Sequence, residues 1–218
     1  PQHFDIDYVR VYNRNAATSA LLNTAFESKA GDQFTDWIEY SNGANVKADP
    51  VAANAHIGTT AAQVSGRNNN QTNSSGLFQE IPTTAGQVWQ VGAFSQNRFG
   101  EALTGDNLAS IKLEFIDSNG NVIQANTLPV VDANSPEAYR EAVVRRTAPA
   151  NSVFARAVLH LTQVGNAPGS VNFDGATIRR FTGASVAGDI NLDGTANSFD
   201  LDALNHSLNN VNVMFDYN

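Results

Sequence analysis

Cysteine is absent from this chain of 218 residues, so neither a disulfide nor a thiolate metal site can form. Positive charge is scarce: 13 Lys and Arg stand against 21 Asp and Glu, for a formal net charge of −8. That balance argues against nucleic acid as a partner, because phosphates would be repelled. No apolar run approaches the roughly 18 residues that a spanning helix needs, so no membrane partner is expected. The 4 His are scattered, and no Ser/His/Asp site can be argued from them. Helical periodicity is nearly absent from the central part of the chain.

What is present is a recurrence of short strand-like runs separated by turn signals. Candidate strands are Gly76–Ile81, Gln87–Ser95, Ser110–Asp117, Tyr139–Arg145, Val153–Val164 and Val171–Phe181. Ser118-Asn-Gly120-Asn between two apolar runs predicts a hairpin turn. Many short strands at this spacing indicate an all-β, two-sheet sandwich or jelly roll. Abundant Asn, Thr, Ser, Gly and Ala with little Lys suit a secreted, extracellular β-protein with polar loops.

Near the end, Asp189-Ile-Asn191-Leu-Asp193-Gly194-Thr195-Ala-Asn197-Ser-Phe-Asp200 puts oxygen-bearing side chains at calcium-loop spacing, with Gly at the sharp turn. Leu201, Leu204 and Leu208 then share one helical face, so a short calcium loop and helix are expected there. The alternative is a solvated Asp/Asn loop without metal. Three parts follow: 1–19, 20–183 as the sandwich, and 184–218 as the calcium tail, joined by the small-residue linker Gly183-Ala-Ser-Val-Ala-Gly188.

Three resemblances attach to these parts. Residues 20–183 carry, in order, Leu22-Asn-Thr-Ala-Phe-Glu27, Trp37, Val64-Ser-Gly-Arg67, Gly76-Leu-Phe-Gln-Glu-Ile81, Gly86-Gln-Val-Trp-Gln-Val91, Thr147-Ala-Pro-Ala150 and Gly169-Ser-Val-Asn-Phe-Asp174. In this series the segment resembles the β-jelly-roll carbohydrate-binding modules that take xylan, β-glucan and related chains. That likeness implies a structural Ca²⁺ tying the first strand to the last, with Glu27 and Asp174 on the matching positions. The alternative is that both are surface acids at strand ends. Phe4-Asp-Ile-Asp-Tyr-Val-Arg-Val-Tyr12 resembles the last strand of a laminarinase/agarase-like glycoside hydrolase, so 1–19 is expected to be the remnant of an upstream catalytic domain and linker. The tail resembles one half of a dockerin repeat, which implies Asp189, Asn191, Asp193, Thr195 and Asp200 as Ca²⁺ ligands and a cohesin-like protein as a partner. A second repeat is not visible, so the alternative is a tail that packs on the sandwich.

Sugars are bound by aromatic faces that stack on the pyranose and by planar polar groups that bond its hydroxyls. Alternation in Trp89–Gln96 predicts Trp89, Val91 and Ala93 inside, with Gln90, Phe94 and Gln96 outside. The same reasoning puts Lys112 and Glu114, and Arg156 and His160, on outer faces. If these strands are neighbours, Phe94 floors a groove walled by Gln96, Lys112, Glu114, Arg156 and His160, with Asn69, Arg98 and Tyr139 at its rim. The bland readings are that Phe94 covers the sheet under a loop, and that Arg156 and His160 are an ordinary solvated pair. Trp37 and Trp89 read as core. Arg98, Lys112 and Arg156 also raise the hypothesis of a sulfated sugar.

Glycoside hydrolysis needs two carboxylates flanking one bond, and the chain has no Glu-x-Asp-x-x-Glu strand. The leading expectation is therefore a non-catalytic module that targets an appended glycoside hydrolase to a polysaccharide: a β-glucan, or a marine galactan such as agar, porphyran or carrageenan. Lyase chemistry through His160, Tyr139 and Arg156, and protein docking through the tail, stand as alternatives.

Overall fold

Residues 19–41, 45–49 and 51–181 are described by a computed structural model. The expected N-terminal remnant, the linker and the calcium ligands Asp189, Asn191, Asp193, Thr195 and Asp200 lie outside the described residues.

Strand-forming sequence along 73–181 gives seven long strands: β6 (Asn73–Pro82), β7 (Val88–Asn97), β8 (Leu108–Ile116), β9 (Val122–Val131), β10 (Arg140–Thr147), β11 (Phe154–Gln163) and β12 (Ser170–Phe181). Before them come five short ones: β1 (Lys29–Ala30), β2 (Gln33–Phe34), β3 (Ile38–Ser41), β4 (Asn45–Asp49) and β5 (Ala61–Ser65). Two five-stranded antiparallel sheets result, in the orders β10-β7-β12-β5-β4 and β3-β6-β11-β8-β9. The chain is an all-β jelly-roll sandwich, as its pattern of short strands indicates.

Period-2 alternation decides which side chains meet between the sheets. Leu77, Ile111, Leu113, Phe115, Leu159 and Leu161 of one sheet oppose Val64, Val91, Phe173 and Ile178 of the other, all fully or nearly fully buried. Each such side chain contributes about 1.5–3 kcal/mol by leaving water. Trp37 and Trp89 are core residues, and each indole N–H finds an acceptor: the Asn23 carbonyl at 3.1 Å and Thr83 Oγ1 at 2.6 Å. Trp37 also packs on Phe26, which meets Phe34 edge-on at 5.1 Å, so the N-terminal turns close one end of the core.

The turn at 117–121 joins β8 to β9 as a hairpin. Asp117 N–H donates to the Asn121 carbonyl at 3.0 Å, and Asp117 Oδ1 accepts from Asn119 and Asn121 N–H. A different kind of loop, 51–60, lies over the outer face of the β10-β7-β12-β5-β4 sheet. It is fastened where the Asn54 carbonyl accepts from Tyr139 OH at 2.6 Å and from Gln96 Nε2 at 3.4 Å.

Candidate functional site

The outer face of the β3-β6-β11-β8-β9 sheet collects three rows of side chains. In the first, Tyr40 and His160 both pair with Gly76, one on each side. A Cβ on Gly76 would collide with the Leu159 carbonyl and approach Tyr40 Oη to 2.8 Å. The bare glycine lets the Tyr40 hydroxyl cross β6 and meet His160 Nδ1 at 2.6 Å, with the two rings parallel within 14°. His160 Nε2 meets Thr162 Oγ1 at 3.0 Å, so both ring nitrogens are satisfied by hydroxyls.

In the second row, Ile38, Phe78, Val158 and Lys112 are register partners across four strands. Phe78 lies 6.1 Å from the Tyr40 ring, and Ile38 beside it is 54% exposed. In the third, Arg156 lies between Glu80 and Glu114. Its Nε donates to Glu80 Oε1 at 2.9 Å and its Nη1 to Glu114 Oε2 at 3.3 Å, while its Cζ sits 4.5 Å over the Phe78 ring. The face therefore offers two adjacent aromatic rings, an aliphatic neighbour and a fixed guanidinium–carboxylate bar.

Burial and charge tune these groups. Burial, aided by the charge of Lys112, lowers the His160 pKa to about 4 and keeps the ring neutral. Burial raises the Tyr40 pKa, and the Glu114 charge adds to it. Burial lowers that of Lys112, against the pull of Glu114.

Sequence alternation brings Lys112, Glu114, Arg156 and His160 together, as their register shows. Phe94, Gln96 and Tyr139 do not join them. β7 belongs to the other sheet, whose outer face points away on the opposite side of the sandwich. The single groove expected from β7, β8 and β11 is thus two faces, because successive strands of a jelly roll cross between sheets. Phe94 lies half-buried under the loop at 51–60, stacked on His56 at 3.8 Å between centroids, with Tyr139 5.1 Å from the same imidazole. Arg98 is held by Asp49 at 2.8 Å and Glu101 at 2.7 Å. Asn69 sits in the exposed β5–β6 loop, where its Oδ1 accepts from Gln71 N–H.

Tyr40, Phe78 and Glu80 are the members that the sequence reading did not single out. The alternation in Gly76-Leu-Phe-Gln-Glu80 carried the signal for Phe78 and Glu80, since Leu77 inside implies both outside. Tyr40 needed the pairing of β3 with β6, which no local pattern states.

Chemically, the face lacks a free acid–base pair, because Glu80 and Glu114 both engage Arg156. The lyase grouping is not assembled either: Tyr139 lies on the opposite face from His160, and the Arg156 charge is already compensated. Of the three cations read as sulfate contacts, Arg98 and Arg156 are each ion-paired twice, and Arg98 is on the other side.

Glu27 and Asp174, the residues matched to a calcium site, both grip the loop at 56–60. Glu27 Oε1 accepts from Thr59 and Thr60 N–H and its Oε2 from Thr59 OH, each at 2.8 Å. Asp174 Oδ2 accepts from His56 and Ile57 N–H at 2.8 Å, and its Oδ1 from Gly175 N–H at 2.7 Å. Three donors reach each carboxylate, which leaves one of its roughly four acceptor sites open. Among the described residues no group of three or more His, Cys, Asp or Glu is placed to hold a metal ion.

No family model matches the chain, and no curated protein does. Solved structures do. A family 61 carbohydrate-binding module in complex with β-1,4-galactotriose superposes at TM-score 0.52 and 19% identity, over 75% of this chain and 99% of that one. The CBM22-1 xylan-binding domain of Paenibacillus barcinonensis Xyn10C gives 0.50 and 17%, over 74% and 94%. The enzymatically active domain of bacteriophage CBA120 tailspike protein 4 gives 0.56 and 11%, over 74% of this chain and 21% of that chain. The chain thus spans about a fifth of the tailspike's active-domain chain and nearly all of the two modules, and at these identities the likeness is one of fold.

Proposed function

We propose that the chain is a non-catalytic carbohydrate-binding module that holds an appended, secreted glycoside hydrolase on a polysaccharide. The observation that carries this reading is the Tyr40–Phe78 ring pair, set beside Ile38, His160 and the Arg156 bar on one open sheet face. Aromatic rings supply stacking area, and fixed planar groups supply directional partners for hydroxyls. The modules with this fold that are named for galactotriose and for xylan lend support. Because Arg156 is doubly compensated, the polysaccharide is a neutral chain, a β-glucan or an unsulfated galactan such as agar, in preference to porphyran or carrageenan. Targeting raises the enzyme's effective concentration at the polymer. The calcium loop in the tail, with its cohesin-like partner, is a further part of the proposal and rests on residue spacing alone.

Affinity electrophoresis against laminarin, xylan, agarose and carrageenan tests the site. Tyr40→Ala and Phe78→Ala are expected to abolish retention on the bound polymer, and Phe94→Ala to leave it intact. Retention that survives both Tyr40→Ala and Phe78→Ala would show that this face is not the binding surface.

A further inference from the structure

We propose a second sugar site on the far side of the sandwich, a cleft that takes a short segment of a neutral glycan; the inference rests on the carbohydrate-binding reading above. The cleft has a volume of about 550 Å³ and is lined by Lys47, Gln63, Asn68, Gly100, Glu101 and Gly169, among others. That is a usual size for a small-ligand site. It lies where the β5–β6, β7–β8 and β11–β12 loops rise beside the outer faces of β4 and β5.

Three observations point to a sugar. The first is Gln63, only 2% exposed and on the floor of the cleft. Its Nε2 donates to Glu101 Oε2 at 3.1 Å and to Ser170 Oγ at 3.0 Å. An ionised carboxylate only accepts, so Glu101 fixes which way the amide points. The opposite atom, Gln63 Oε1, is left with no hydrogen-bond partner. A buried acceptor without a donor is unfavourable, and a small turn of the amide toward the cleft would let a ligand hydroxyl satisfy it.

The second is Phe99, at 71% the most exposed large apolar side chain among the described residues. It occupies a tight turn closed by Glu101 N–H to the Arg98 carbonyl at 2.9 Å, and its neighbour Gly100, a lining residue, adopts φ +73°. Gly100 N–H donates to Glu137 Oε1 at 3.0 Å, which pins the turn. A bare ring on a fixed turn, one residue from a glycine that lines a polar cleft, is available as a stacking platform.

The third is charge. Lys47 is exposed and forms no ion pair among the described residues, while Arg98 is shared between Asp49 and Glu101. Lys47 and Glu101, the charged residues of the lining, cancel, and so do Arg98 and Asp49 behind them, so the cleft supplies donors and acceptors without a net field. An uncharged polyol suits that balance, and an anionic chain does not.

The test is a titration of the ¹⁵N-labelled full chain with β-1,4-galactotriose, xylotriose and laminaritriose. At least one is expected to shift the Gln63 side-chain amide and the Gly100 and Gly169 backbone amides in a saturable way. Phe99→Ala and Lys47→Ala, both surface changes, should weaken that response roughly tenfold or more, while Phe78→Ala leaves it in place. Shifts confined to β3, β6 and β11 would overturn the cleft and keep the proposed function. Cleft shifts unaffected by Phe99→Ala and Lys47→Ala would overturn it as well. No response to any probe, with polymer retention preserved, would also remove the cleft; loss of polymer retention in the unmodified chain would remove both readings.

Discussion

Held between the hydroxyls of Tyr40 and Thr162, His160 is a base that the fold keeps uncharged: burial first, and the Lys112 charge second, bring its pKa from 6.5 to about 4. An unfolded chain takes up the proton near pH 6.5, whereas the folded chain resists it until about pH 4. Stability from this residue is therefore complete above pH 6.5 and drains away as the pH falls through that window, by roughly 3 kcal/mol at most. Denaturant unfolding at a series of pH values, compared with His160→Gln, should show a slope in the wild type between pH 6.5 and 4 that the variant lacks; equal slopes would show that His160 titrates normally. The outward position of His160 was legible from Leu159 and Leu161 on either side, since period-2 alternation leaves it no other face. Its neutrality was not legible, because Tyr40 is 120 residues away in sequence and reaches it only across Gly76.

Among the elements, the strands read from sequence are those with apolar residues on alternate positions and a covered inner face, β6, β7, β8, β10, β11 and β12. β9 escaped because it is an edge strand, mostly exposed, with Pro129 in it; an edge position tolerates a residue that cannot donate to the ladder. The strands β1 to β5 escaped because they are two to five residues long, too short for a periodic signal. Glu27 and Asp174 show the same limit at the level of a loop. Their placement at the two ends of the sandwich sequence was visible, but their common purchase on 56–60 was not. Burial pushes the Glu27 pKa up, yet hydrogen bonds from Thr59 and Thr60 and the Lys29 charge outweigh it and hold the group ionised. Glu27→Ala is expected to free the loop at a cost of about 1 kcal/mol, a fall of roughly 2–4 °C in Tm. Adding Ca²⁺ to the wild type should leave the Thr59 and Thr60 amide signals in place, because those N–H groups already occupy Glu27 Oε1. Displacement of both signals by calcium would show that the ion replaces the clasp.

At the level of the whole molecule, the sandwich turns one expected groove into two independent faces. From β5 to β12 every connection except the β8–β9 hairpin crosses between sheets, so β7 carries Phe94 to one side and β8 and β11 carry Lys112 and Arg156 to the other. Composition alone indicated an acidic protein, and pairing within the fold decides what that acidity means for a ligand. Arg98 and Arg156 spend their charge on internal carboxylates, so neither of these two guanidinium groups is free to offset a net charge of −8. Binding to a neutral chain then depends on stacking and desolvation, which ordinary salt leaves almost untouched. Binding to a sulfated chain would meet a repulsive field that salt screens over roughly 8 Å at physiological ionic strength. Retention on agarose or laminarin should therefore be flat from low to high salt, and retention on carrageenan should be weak at low salt. The opposite pattern, tight binding to carrageenan that salt abolishes, would mean that Arg156 exchanges Glu80 and Glu114 for sulfate when the ligand arrives. In that case Glu80→Gln, which loosens the internal pair, would strengthen carrageenan binding instead of leaving it weak.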